Sequence, residues 1–412
     1  MATVHDLFPG TTARQSASRT HSPRGKPIAF GRRAECIFEQ LHLIDVRGSR
    51  QAAANYRLAA CAPRKKKRLC FLMAGLVSLL SSDIFIGAQR DIVDLALPTD
   101  NDALFRSDGP AFYQYIERDY EGQKSTPWEG GQYGFVRDPV ETAAGVVYTR
   151  FHEGIDIRSI HRDANNDPLD EVRAISAGKV VYTNSVPGYS NYGRYIVIEH
   201  RWDSSPYYSL YAHLSAIDVR TGQSVQKGEH IATMGYTGVG INQERAHLHL
   251  ELNLIINHRF QGWYDQVYRT EPNHHGIYNG INLDGMDVAR LYLELHKNPA
   301  LTIPEFLARE ETFYKVTVPR SGHFELLNNY PWMLNGGATK RPPSWEVSFA
   351  RSGVPLRIEP SDKKVSQPEL TYVKPSRADY SLLTRGEIAG RDQNAHLTDY
   401  GRQLMRLLTY PR

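Results

Sequence analysis

Between Gly131 and Ile255, Val, Ile and Tyr alternate with polar residues, and glycine-bearing turns interrupt the alternation about every ten residues. A period of two puts successive side chains on opposite faces of extended chain, so this stretch predicts an antiparallel β-sheet domain. Upstream, Phe112 to Glu117 predicts a short helix with Phe112, Tyr113 and Tyr115 on one face. Downstream the period changes. Asp287 is placed to cap a helix carrying Val288, Leu291, Tyr292 and Leu295 that stops before Pro299. Ile303 to Phe313 predicts another short helix, and Tyr314 to Pro319 and Trp345 to Ile358 predict strands. Pro360 to Pro375, rich in Pro, Lys and Ser, predicts a linker, and Leu397 to Leu408 predicts an amphipathic closing helix. The fold class is therefore mainly β, with a mixed α+β C-terminal extension.

Inside the strand-rich region three segments carry chemistry: Phe151-His152-Glu153-Gly154-Ile155-Asp156, Tyr211-Ala212-His213-Leu214 and His247-Leu248-His249-Leu250-Glu251. On a strand His247 and His249 face one way while Leu248 and Leu250 face the other. His152 and Asp156, four apart, share a face in extended chain, and Gly154 argues against helix there. Two His and one Asp can hold zinc and leave one coordination position open for water. Two further imidazoles remain for proton transfer near neutral pH.

The set of segments, in this order, resembles the lysostaphin/LytM-type zinc metalloendopeptidases, whose pattern is H-x-G-x-D, Y-x-H-L and H-x-H. Val172 to Val181, Tyr192 to His200, Gly222 to Gly228 and Ile231 to Gly238 are similar to that family's connecting strands and turns. The resemblance covers roughly Gly131 to Leu254, about a third of the chain. It implies a sheet folded into a groove with one Zn2+ on its floor, held by His152, Asp156 and His249. It implies that His213 and His247 are the catalytic histidines, one moving the water's proton and the other steadying the oxyanion or protonating the leaving amine. The substrate implied is the peptide of bacterial peptidoglycan cross-links. Two departures from the pattern, Ala246 and the segment 239–245, border the groove. Glu251, on the same strand face as His249, is either an orienting partner for an imidazole or a solvated carboxylate. His161, His200, His258, His274 and His275 lie in turn or strand-end sequence and are expected to be structural. The acidic run His161 to Glu171 lacks the glycine and terminal glutamate of a calcium loop and predicts a solvated turn. The tyrosines Tyr189, Tyr192, Tyr195, Tyr207, Tyr208, Tyr211 and Tyr236 are expected mainly as packing residues.

Composition adds the compartment. Of 412 residues, 41% are hydrophobic and 23% charged, enough for a sizeable core. The net charge of +4 comes from the front of the chain: residues 1–88 hold 14 of the 49 Lys and Arg but only 5 of the 45 Asp and Glu. The remainder is mildly acidic, which gives no support to nucleic-acid binding. Arg64-Lys65-Lys66-Lys67-Arg68 precedes the apolar run Leu69 to Leu80, and a small-residue site ends at Ala88. That pattern predicts a secretory signal over 64–88, with an uncleaved signal anchor as the alternative. Residues 1–63 are then expected to be a non-native or disordered extension, with translation beginning near the basic cluster. Cys36, Cys61 and Cys70 all precede residue 71, so thiol catalysis and Cys-ligated zinc are excluded from the exported part. No cysteine stands at the predicted cleavage site, which argues against a lipid anchor.

The expected organisation is a lead-in over 89–130, a lysostaphin-type domain over 131–257 and an α+β accessory extension over 258–412. The expected function is an exported zinc endopeptidase of the periplasm, cell envelope or extracellular space, without stable membrane association if the signal is cleaved. The competing readings are a non-catalytic wall-binding or hydrolase-regulating module and a zinc peptidase that acts on proteins.

Overall fold

The structure is a computed structural model that describes residues 92–320, 324–336 and 341–411. The expected signal at 64–88, the extension at 1–63 and all three cysteines lie outside the described residues. The described residues fall in one compact unit, and none of their helices is long and apolar enough to cross a membrane.

Antiparallel sheet dominates. A protruding hairpin is formed by β1 (Gly134–Thr142) and β2 (Gly145–His152). The largest sheet then collects β3 (Ile155–Arg158), β4 (Gly178–Asn184), β5 (Tyr195–Trp202), β6 (Ser205–Ala212), β7 (Ser224–Val225), β8 (His247–Ile255) and β9 (Leu283–Met286). Their spatial order is β7-β4-β5-β6-β8-β9, and β3 pairs with the first half of β8. Every position of β8 is buried. One of its faces carries Leu248, Leu250, Leu252 and Leu254 into the main core with Ile196, Ile198 and Tyr211. Each such leucine stabilises by about 1.5–3 kcal/mol on burial. The other face carries His247, His249, Glu251 and Asn253. It lies beside a smaller cluster of Tyr195, Val197, Tyr208, Leu210 and Ala212.

A second, four-stranded sheet is built by β10 (Tyr314–Pro319), β11 (Ser344–Phe349), β12 (Pro355–Ser361) and β13 (Glu369–Val373), in the order β12-β11-β10-β13. Three helices brace the two sheets: α1 (Phe260–Val267), α2 (Val288–Lys297) and α3 (Asp399–Leu408). Asp287 caps α2 by accepting from the Arg290 N–H at 3.0 Å, and Thr398 caps α3 through the Gly401 N–H at 2.9 Å. The connection between β10 and β11 and helix α3 are tied to the end of β8: the Tyr330 hydroxyl accepts from Ile255 N–H, and Asn257, just past β8, donates to the Leu407 carbonyl.

Three local expectations need correction. The helix expected at Phe112–Glu117 lies earlier, at Gly109–Phe112, because Asp108 caps it and Pro110 favours its first turn. Tyr113 is already extended and bridges to Ile157. The expected linker at 360–375 contains β13, an edge strand whose Thr371 hydroxyl donates to the Lys315 carbonyl. Edge position tolerates its flanking prolines. In the acidic run, Asp163 does form a turn by accepting from Asn165 and Asp167 N–H groups. Asp170, however, is buried and accepts from Ser159 Oγ and Ile160 N–H.

His200 is structural, as expected. Its ring stacks on Trp202 at 5.2 Å, with Nδ1 bonded to the Ala177 carbonyl and Nε2 to Ser209 Oγ. Burial pushes it down to about 4, against a weaker opposing pull from that carbonyl. An unfolded chain would take up a proton near pH 6.5 that the folded chain refuses. Stability from this group is therefore complete above about pH 6.5 and falls towards pH 4, by about 3 kcal/mol in all. Urea unfolding of His200→Gln across that range is expected to show an acid branch flattened by about one proton's worth of slope.

Candidate metal centre

The register of β8 assembles the site. His249 stands opposite Asp156 of β3 on one side and Ala212 of β6 on the other. His213 follows Ala212 directly, and His152 ends β2 two residues before β3 begins. Segments nearly a hundred residues apart thus become neighbouring strand ends. The two-residue turn Glu153-Gly154 can lie against β8 because it contains glycine. A Cβ on Gly154 would stand 2.3 Å from the Leu250 carbonyl oxygen.

His152 Nε2 lies 3.1 Å from His249 Nδ1 and 3.0 Å from Asp156 Oδ1, and His249 Nδ1 lies 3.0 Å from the same oxygen. These are the three residues among the described ones whose donor atoms converge as a metal site does. Each imidazole is oriented from behind. His152 Nδ1–H donates to the Gln132 carbonyl at 2.7 Å. His249 Nε2–H donates to Glu251 Oε1 at 2.8 Å. Glu251 is in turn held by Tyr192 Oη at 2.7 Å and Asn253 Nδ2 at 2.9 Å. With those protons spent, the facing nitrogens are lone pairs, and Asp156 Oδ1 is a third acceptor. Three acceptors aimed at one point, with no donor between them, fit a cation. Their spacing approaches the edge of a tetrahedron built on zinc bonds of 2.0–2.1 Å, about 3.3 Å.

His213 and His247 sit at the rim, their ring centroids 4.8 Å apart, and His213 is 5.7 Å from His249. His213 Nδ1–H donates to the Thr237 carbonyl and His247 Nδ1–H to the Arg245 carbonyl. His247 Nε2 approaches Asp156 Oδ1 at 3.3 Å. The His213 backbone is left-handed, at φ 65°, a cost accepted at positions where geometry matters more than ease.

Electrostatics follow the packing. Burial works against charge on Asp156, yet the imidazoles of His152 and His247 and the guanidinium of Arg137 hold it well below the usual carboxylate range. Arg137 Nη2 donates to Asp156 Oδ2 at 2.6 Å, which leaves Oδ1 facing the histidines. Burial also opposes charge on His249, but Asp156 and Glu251 push it up to about 9. Between two carboxylates a proton supplies the positive charge that a metal would supply. Burial, with His247 and His249 alongside, pushes His213 well below an ordinary histidine.

All five expected site residues therefore lie together, and all are buried. Glu251 is 1% exposed and bonded to His249, so its solvated reading falls. From sequence, Arg137 and Gln132 had no expected role at the site, and Tyr192 was expected mainly as a packing residue. Arg137 and Gln132 reach the site from outside the three segments, and no spacing links them to it. The segment 239–245 is tied down at its end. Arg162 donates to the Gln243 and Glu244 carbonyls, and Tyr115 of the lead-in donates to Glu244 Oε1.

An antiparallel sheet bearing a His/Asp/His centre with two further imidazoles at its rim defines the class. Residues 150–261 match the profile of Peptidase family M23, in line with the resemblance to the lysostaphin/LytM type. The Lipoprotein NlpD/LppB homolog of Pseudomonas aeruginosa is 41% identical over 81 residues, 20% of this chain and 24% of that protein. The Murein hydrolase activator NlpD of Escherichia coli is 37% identical over 102 residues, 24% of this chain and 22% of that protein. The chain thus spans about a quarter of the length of these curated relatives. Among solved structures, the catalytic domain of the antimicrobial peptidase lysostaphin from Staphylococcus simulans is similar at 28% identity. That match covers 30% of this chain and 82% of that one, with a TM-score of 0.21.

Gly154→Ala puts a methyl group where the Leu250 carbonyl now lies. It is expected to destabilise the fold by about 1–3 kcal/mol, read from the urea midpoint. An unchanged midpoint would show that the turn has room to spare.

Proposed function

We propose that this protein is an exported zinc metalloendopeptidase that hydrolyses peptide bonds in bacterial peptidoglycan cross-links. The observation that carries this reading is the convergence of His152 Nε2, His249 Nδ1 and Asp156 Oδ1, with His213 and His247 intact beside them. Zinc held there supplies Lewis acidity towards the scissile carbonyl and lowers the pKa of a water in its open position. The remaining work belongs to the chain. The Thr237 carbonyl holds the proton of His213 on Nδ1, so Nε2 is free to accept another. Burial keeps that ring neutral and ready as a base. The Arg245 carbonyl does the same orienting work for His247. One ring takes the proton of the attacking water. The other steadies the oxyanion or protonates the leaving amine. The cell envelope as location rests on the expected signal and on relatives whose names describe lipoproteins and a murein hydrolase activator.

A second reading, a regulator of other wall hydrolases, draws on that last name alone. The same assay separates the two. The full chain is expected to bind one zinc and to release new amino groups from purified sacculi. His249→Ala is expected to lose zinc and activity together. His213→Ala is expected to keep zinc and lose activity by about 10²–10⁴-fold. A zinc-bound chain that releases no amino groups yet accelerates an added murein amidase would replace the peptidase reading with the regulatory one. Mass spectrometry of the digest names the bond cut.

A further inference from the structure

Arg385, from the C-terminal extension, reaches the residues on either side of the ligand His152. It follows the turn Tyr380–Leu382 and adopts a left-handed backbone, φ 55°, next to Gly386 at φ 77°. A non-glycine residue in that region carries a steric cost. That conformation accompanies a guanidinium directed at the turn between β2 and β3. Nη2 donates to Glu153 Oε1 at 3.1 Å, and Nη1 donates to the Ser352 carbonyl at 3.4 Å. The guanidinium carbon lies 5.2 Å from the ring centroid of Phe151. Phe151 and Glu153 are the two residues flanking the ligand His152. One guanidinium therefore touches the side chains of both residues that flank the ligand.

The remaining walls of the turn are rigid. Gly154 is pressed against the Leu250 carbonyl of β8. On β9, a Cβ added to Gly285 would meet the Glu153 carbonyl oxygen at 2.2 Å. These contacts close the turn on its β8 and β9 sides, and Arg385 holds the Glu153 side chain. Burial opposes the charge of Arg385, but Glu153, Tyr400, Glu387 and Asp284 surround it and favour its protonated form. Glu387 is itself fixed by the Tyr314 hydroxyl of β10. The second sheet is thus linked to the residue beside His152: Tyr314 holds Glu387, the charge of Glu387 favours that of Arg385, and Arg385 holds Glu153.

We infer that Arg385 is a positioning residue for the metal centre, and that the C-terminal extension is part of the support for His152 through it. This rests on the zinc reading above. It is distinct from an ordinary ion pair between two lobes, which would add stability and leave metal affinity alone.

The test is zinc affinity of the full chain, measured by chelator competition well below every variant's melting temperature. Arg385→Met and Glu153→Gln are each expected to weaken zinc binding by about 10-fold or more, the usual range for groups that orient a ligand. The double variant is expected to be no weaker than the poorer single one, because both changes remove the same contact. Arg385→Lys keeps the charge without the planar fork and is expected to recover part of the affinity. Leu407→Ala, a buried change in α3, is the control: a lower melting temperature with unchanged zinc affinity. If Arg385→Met fails to fold, Glu153→Gln carries the test. Wild-type zinc affinity in Glu153→Gln, or in a folded Arg385→Met, overturns the inference. A wild-type chain that binds no zinc overturns the parent reading instead, and the two failures are told apart by the wild-type measurement alone.

Discussion

Three acceptor lone pairs aimed at one point are unstable company without a positive charge between them. The arrangement around His152, Asp156 and His249 depends on that constraint. Each histidine has its other nitrogen committed to an acceptor, Gln132 O or Glu251, so neither ring can turn its proton inward without breaking a buried bond. Asp156 has one oxygen engaged by Arg137. The centre therefore demands a cation or a proton, and His249, lying between two carboxylates, is where a proton sits best. Metal binding and proton release are coupled in such a site.

The sheet makes this affordable. Strand β8 is buried on both faces, and its leucines anchor one face in the main core while the other face is polar. Buried polar groups destabilise unless paired. On that face His249, Glu251 and the Asn253 amide nitrogen are joined in a hydrogen-bonded chain with Tyr192, while Asn253 Oδ1 is left without a partner. A slip of one residue in the register of β8 would bury the histidines among leucines and turn the leucines to the site. The leucine face and the polar network thus specify the same register.

Much of this was legible in residue spacing. The two-residue interval of His247 and His249 placed them on one face without further information. The four-residue interval of His152 and Asp156 did the same once Gly154 ruled out helix. The start of α2 was legible from Asp287; α3 was expected from Leu397 but begins at Asp399, after the Thr398 cap, because Leu397 pairs with Ile388 in a short strand. What was not legible depends on pairing across long separations. Arg137 reaches Asp156 only because the β1–β2 hairpin folds back, and nothing in its own neighbours points there. Strand β13 read as linker because Pro, Lys and Ser surround it, and such residues suit an edge strand as well as a loop. Glu153 stood inside the ligand motif with no role of its own. Its partner Arg385 lies 232 residues away.

His213 shows what the site asks of the backbone. It follows the last residue of β6 and turns into a left-handed conformation, φ 65°, that glycine adopts most readily. A glycine would relieve the backbone and supply no imidazole. The chain instead keeps the ring and surrounds the strained residue with fixed partners. His213 N–H donates to the Tyr192 carbonyl, and Nδ1–H donates to the Thr237 carbonyl. Tyr192 also holds Glu251. One tyrosine therefore links the orientation of the rim histidine to that of the ligand His249. In the proposed chemistry, the ligand that holds a metal and the ring that moves a proton thus share one structural support.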